Sequence, residues 1–254
     1  MYRNLRQCIV LVGRFHSGRG DRKFIEEEQH MDEHQLTHPE EIQWYERQKR
    51  LSQYLDSEEL ASLTTALQLF LDQHAQLHST GGLAQTALAG LSDKQWRLKP
   101  GKGTNSLAWL VLHMARIEDV TFNLLVMERS QVFDEWFEQL GFARRDVGTG
   151  MSDEEVLELS KTIHLPALRA YRGAVGKTTQ DLARTIDPAT LKEQPEARSI
   201  QRLFDEGAVT PQLAELAQWW SQRTKGVLLF QPVSRHAFWH LHEIRQVREL
   251  FPTT

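Results

Sequence analysis

Apolar residues recur at spacings of three and four along most of this chain, and the alternation that marks half-buried strands is scarce. The first strong stripe, Leu60, Leu63, Leu67, Phe70, Leu71 and Leu77, predicts a helix over residues 57–78, with Ser57 as its cap and Gly81-Gly82 as its stop. A second runs from Asn105 or Ser106 to about Glu128 through Leu107, Leu110, Val111, Met114, Ile117, Phe122 and Leu125. A shorter one follows in Phe133, Trp136, Phe137 and Leu140, ending near Gly141. Ser152 with Glu155 three residues on forms a capping box. It opens a helix through Val156, Leu159, Ile163, Leu168, Tyr171 and Val175 that Pro166 should bend. Pro211 starts a segment broken at Gly226, and Pro232 opens a last helix, 233–251, stopped by Pro252.

Between these elements, residues 90–103 and 187–195 read as connectors. The start differs. To about Lys23 it is rich in glycine and arginine without a helical period, which predicts a poorly ordered tail or, around Cys8–Val12, one short strand. Residues 24–49 are polar, with Pro39-Glu40-Glu41 suited to a first helical turn. The expected organisation is an N-terminal extension, 1–50, partly disordered or helical, and an all-α bundle domain, 51–254.

Composition narrows the function classes. Of the 254 residues, 40% are hydrophobic and 25% charged, enough for an ordinary core. A formal net charge of −4 supplies no basic footprint for nucleic acid or an anionic membrane. No apolar run nears the roughly 20 residues of a spanning helix, and the N-terminus lacks a convincing secretory signal. With one cysteine no internal disulfide can form, so a cytoplasmic location is expected. Neither Gly101-Lys102-Gly103 nor Cys8 makes a convincing phosphate loop or nucleophile, and Arg144-Arg145 reads as a solvated loop or an anion contact.

The chemistry lies in the histidines. Residues four apart share a helix face and can share a metal ion. Random placement of the eleven histidines would give about half of one such pair. The sequence has His30/His34, His34/His38, His74/His78 and His236/His240. The first two lie among Glu26, Glu27, Glu28, Asp32, Glu33 and Glu40 and read as a solvated face or an adventitious site. His74 and His78, beside Gln73 and Gln76, read as surface residues at a helix end. His236 and His240 sit instead in an aromatic helix, where buried imidazoles need partners. A metal would supply them, and so would hydrogen bonds within the core. A third ligand must come from elsewhere. His113, in the most apolar helix, is the natural one, although a lone histidine there also reads as a satisfied core residue. His242 points across the helix from the pair, and His164 is peripheral.

Asn105-Ser-Leu-Ala-Trp-Leu-Val-Leu-His113-Met-Ala-Arg-Ile-Glu-Asp resembles the second-helix motif of the DinB-like superfamily. His236-Ala-Phe-Trp-His240-Leu-His-Glu243 resembles its last-helix motif, with His242 where the family commonly has glycine, and 90–100 resembles its connector. The resemblance covers about residues 57–251. It implies a four-helix bundle with extra N-terminal and connecting helices, holding a solvent-accessible divalent ion (zinc, nickel or iron) through His113, His236 and His240. Glu243 would orient a ligand or pair with an arginine, and Trp109 and Trp239 would line a pocket or pack in the core. Characterised relatives include thiol-dependent transferases and mycothiol-dependent maleylpyruvate isomerases. The resemblance therefore implies thiol transfer, isomerisation or hydrolysis on a small molecule, with a low-molecular-weight thiol as a further cofactor. The other reading is a non-catalytic, stress-associated or dimerising bundle with weak or no metal binding; a homodimer suits either.

Overall fold

A computed structural model describes residues 38–79 and 82–251, together with Leu36. The readings made for the glycine-rich start, Cys8, His30, His34, Gly81 and Pro252 fall outside those residues. Among the described residues the protein is all-α, without a strand, and no helix is long and apolar enough to cross a membrane.

Six helices of ten residues or more organise the described residues: α1 (Pro39–Asp56), α2 (Leu60–His78), α3 (Leu107–Asp119), α4 (Asp153–Thr162), α5 (Leu165–Ala183) and α6 (His236–Glu249). The bundle is the ring α2, α5, α3 and α6, each helix packed on the next and closed by the contact of α2 with the segment leading into α6. Helix α1 lies along α2. Pro39 starts it, Glu40 and Glu41 occupy its first turn, and Trp44 and Leu51 are buried. Trp44 stacks on Phe238 of α6 with ring centroids 5.9 Å apart. Residue 51, where the sequence reading began the bundle domain, lies inside this helix.

Several boundaries differ from those expected. Ser57 closes α1 rather than capping α2; its hydroxyl accepts from the Glu59 N–H instead. Pro166 does more than bend its helix. It lies in the first turn of α5, and the chain breaks at Ile163–His164. The connector 90–103 holds a short helix, Asp93–Arg97, opened by a Ser92/Gln95 capping box. Gly226 does not break a helix; it lies within Lys225–Leu228, where a Cβ would come 2.8 Å from Leu55 and 3.0 Å from the Leu191 carbonyl. Pro232 lies inside a π-helical stretch, Leu229–Arg235, and not at the start of α6. An α-helix there would clash with the proline ring, which the wider π turn accommodates. A second π-helical stretch, Val120–Val126, continues α3 and packs against the first.

The core has two apolar clusters stacked along the bundle. One takes Leu77 from α2, 107–115 from α3 and 237–247 from α6; the other takes Leu63–Phe70, Ile117–Val126 and Leu228–Val233. Their boundary on each helix is marked by buried polar residues: Gln73 and His74, Arg116 and Glu118, Ser234 and His236. A polar layer inside a bundle is costly unless its members satisfy one another. The functional groups lie in and beside it.

Candidate metal centre

His113 stands on α3 because Ser106 caps that helix, accepting from the Trp109 N–H at 3.1 Å, and an unbroken apolar run carries it inward. His236 and His240 stand one turn apart on α6. The three imidazoles converge. His236 Nε2 lies 3.0 Å from His113 Nε2 and 3.0 Å from His240 Nε2, and the residues retain 8%, 3% and 6% exposure. The structure thus brings together the three histidines singled out in the sequence, at a more buried site than the resemblance implies.

The other ring nitrogens fix the tautomers. The Val147 carbonyl, 2.6 Å from His113 Nδ1, only accepts, so that nitrogen carries hydrogen and Nε2 presents a lone pair. His240 Nδ1 donates to the Glu243 carboxylate at 2.8 Å, with the same result at its Nε2. Burial, with the neighbouring His240, pushes His113 down to about 3, and burial with His240 and His113 holds His236 well below its ordinary range. Both are neutral near pH 7. Three nitrogens therefore face one another with at most one hydrogen among them, which can satisfy only one contact. A divalent cation satisfies all three. At Zn–N distances of about 2.0–2.1 Å, tetrahedral ligands stand about 3.3 Å apart, close to the observed spacing. The donor set fits a bound ion, and the Val147 carbonyl and Glu243 are the outer partners that orient such ligands.

Trp109 stacks on His113 with centroids 4.5 Å apart and meets His240 edge-on at 6.3 Å, while its Nε1 donates to the Met151 sulfur at 3.2 Å. It forms a wall of the centre. Trp239 is partly buried against the first apolar cluster. His242 binds Glu41 of α1 at 3.3 Å, and Arg245 binds the same carboxylate at 3.1 Å. Burial pushes Glu41 up, but these two partners outweigh it and leave the carboxyl below its usual value. Arg144 and Arg145, about a third exposed, are held in ion pairs: Arg144 with Asp146 and Glu155, and Arg145 with Asp134.

Sequence reasoning marks residues 144–150 as a loop with two glycines but misses the partner that Val147 supplies to His113. Gly148, at φ +81°, donates its N–H to Asp146 at 2.8 Å, and the Val147 N–H donates to the Ala208 carbonyl at 3.0 Å. Arg116, one turn beyond His113 and fully buried, donates to the Arg145 carbonyl at 2.7 Å and lies 3.7 Å over the Phe133 ring. No side-chain pattern announces a backbone carbonyl as a partner.

A pH dependence follows for the metal-free protein. Unfolded histidine takes up a proton near pH 6.5, whereas folded His113 and His236 do so only far lower. Between those values the unfolded chain binds more protons, so stability falls as pH falls. From about pH 6.5 toward 3, His113 contributes a slope of about 1.4 kcal/mol per pH unit, and His236 a similar one. Urea unfolding at pH 7.5 and 5.5 measures it; equal unfolding free energies would show that these imidazoles are not held neutral.

The model of the DinB superfamily matches residues 76–223. That span contains Trp109, His113 and the Val147 loop and ends before His236 and His240. Comparison with curated proteins returns no match. With the matched span exceeding half of the 254 residues and an all-α bundle in the remainder of the described chain, this protein belongs to the DinB superfamily.

Proposed function

We propose that the protein is a metal-dependent enzyme acting on a small molecule, its divalent ion held by His113, His236 and His240. The observation that carries this reading is the convergence of three Nε2 atoms whose Nδ1 partners, at His113 and His240, leave lone pairs pointing at one another. An ion held by three imidazoles keeps positions for water, a thiol or a substrate oxygen, and it favours their deprotonated or polarised forms. The chain's own part is orientation. Val147 and Glu243 hold two rings by their far nitrogens, Trp109 packs on a third side, and burial keeps His113 and His236 neutral and able to ligate. Thiol transfer, isomerisation and hydrolysis are the reactions such a centre suits. Zinc, nickel and iron all fit the donor set.

The burial of all three residues favours a second reading, a non-catalytic bundle in which the ion is a structural tie. Two measurements separate the readings. Purified protein should hold a divalent ion that His113→Ala loses, under either reading. Turnover with a low-molecular-weight thiol and an electrophilic or isomerisable small molecule, lost in the same variant, supports the enzyme. Full metal content without turnover across such thiols and hydrolysable substrates supports the tie. Unchanged metal content in His113→Ala defeats both.

A further inference from the structure

A second cluster, made of residues other than the triad's, lies in the polar layer. His74 and His78, one turn apart on α2, meet Glu118 of α3, with Arg172 of α5 beside them. His74 is 2% exposed, so the expectation that this pair is superficial is wrong. Its ring is bounded by oxygen on both sides: Gln180 Oε1 stands 3.0 Å from Nδ1 and Glu118 Oε1 stands 2.8 Å from Nε2. A neutral imidazole has one hydrogen for these two contacts. His78 Nε2 is buried without a hydrogen-bond partner, 3.6 Å from Glu118 Oε2. The chain makes room for it at Gly176, where a Cβ would come within 2.3 Å of the His78 ring. Leaving such a nitrogen unsatisfied costs about 1–3 kcal/mol.

We propose that His74, His78 and Glu118 form a second divalent-cation site, for which Arg172 is the competing cation. The ligand atoms all lie within 4.8 Å of one another, a span one ion can bridge. Two imidazoles and a carboxylate are a zinc or iron(II) donor set with room for a water. The Gln180 oxygen holds His74 Nδ1 as the carboxylate of Glu243 holds His240 Nδ1 in the triad, which leaves Nε2 to ligate. The guanidinium of Arg172 hydrogen-bonds Glu118 Oε2 and already balances the carboxylate. A divalent ion added beside it would leave two positive charges in excess in a buried place, so the ion binds as Arg172 swings away. Geometry allows this. The His74 and Glu118 side chains are 1% exposed, whereas His78 and Arg172 form the rim at 18% and 11%.

Zinc titration of the metal-free full chain, read by equilibrium dialysis, tests the proposal. The expected result is two ions per chain, the second binding more weakly. His113→Ala removes one, His78→Ala removes the other, and His113→Ala with His78→Ala removes both. In the His113→Ala background, Arg172→Gln tightens the remaining ion tenfold or more. Because this last variant gains affinity, misfolding cannot mimic it. Saturation at one ion in both the unsubstituted protein and Arg172→Gln overturns the second site, as does a second ion that persists in His78→Ala. Neither outcome bears on the triad, whose ion is followed through His113→Ala.

Discussion

Replacing His236 by leucine in the His78→Ala protein, which lacks the second cluster's ligand set, should abolish the stabilisation that zinc gives while leaving the metal-free protein within about 1 kcal/mol of its His78→Ala parent. His236 is the middle of the triad, 3.0 Å from each neighbour. Without an ion its imidazole brings a third nitrogen against two lone pairs, so its removal relieves as much as it loses. With zinc at 100 times its dissociation constant, binding stabilises the folded state by about 2.7 kcal/mol. For a domain of this size that corresponds to about 5–10 °C in Tm. His236→Leu should show no such shift. If the three histidines are only a hydrogen-bonded core group, the outcome reverses. The metal-free variant then loses about 1–3 kcal/mol for stranded partners, and zinc moves neither protein.

Asp119→Ala should be the most damaging single change outside the histidines, at about 3–5 kcal/mol, or about 6–20 °C in Tm. The carboxylate is fully buried. It accepts from the Val132 N–H at 2.9 Å, the Phe133 N–H at 2.8 Å, the Tyr171 hydroxyl at 2.8 Å and the Asn123 amide at 2.7 Å. Arg116 Nη1 lies 3.5 Å away. Burial pushes this carboxyl up, and Arg116 with the hydrogen bonds pulls it back only in part. Alanine would leave four donors and a buried guanidinium without their acceptor. Tyr171→Phe, which removes one donor and keeps the ring, should cost about 1–2 kcal/mol. Chemical denaturation of both variants measures the pair; equal effects would mean that the carboxylate is not the hub.

The bundle and its triad were legible because their signals are local. Ser106 before an apolar run marks the start of α3, and His236 and His240 stand out by their aromatic neighbours. What stayed hidden depends on partners distant in sequence. His74 sits among glutamines, as a surface residue would, and only the fold brings Glu118 and Arg172 to it. Helix 197–205 has no side-chain cap, and its helical period, Ile200, Leu203 and Phe204, spans little more than one turn, too short to stand out beside the connector before it. Arg144 and Arg145 read as a solvated loop or an anion contact because two of their three acidic partners, Asp134 and Glu155, stand 11 residues away in sequence; only Asp146 is local. His242 departs from the glycine of the family motif, and its role emerges only once α1 brings Glu41 against it.

The π-helical stretch before His236 bears on how this chain tolerates insertions and deletions. A π turn holds one more residue than the α turn it replaces, and each α-helical residue turns the chain by about 100°. Removing one residue from 229–235 can tighten that turn into an ordinary one and reset the phase of the chain on its far side, while His236 and His240 keep their relation to each other. The number of residues separating His113 from His236 is therefore a poor ruler for aligning relatives. Only the four-residue step within α6 is held by geometry.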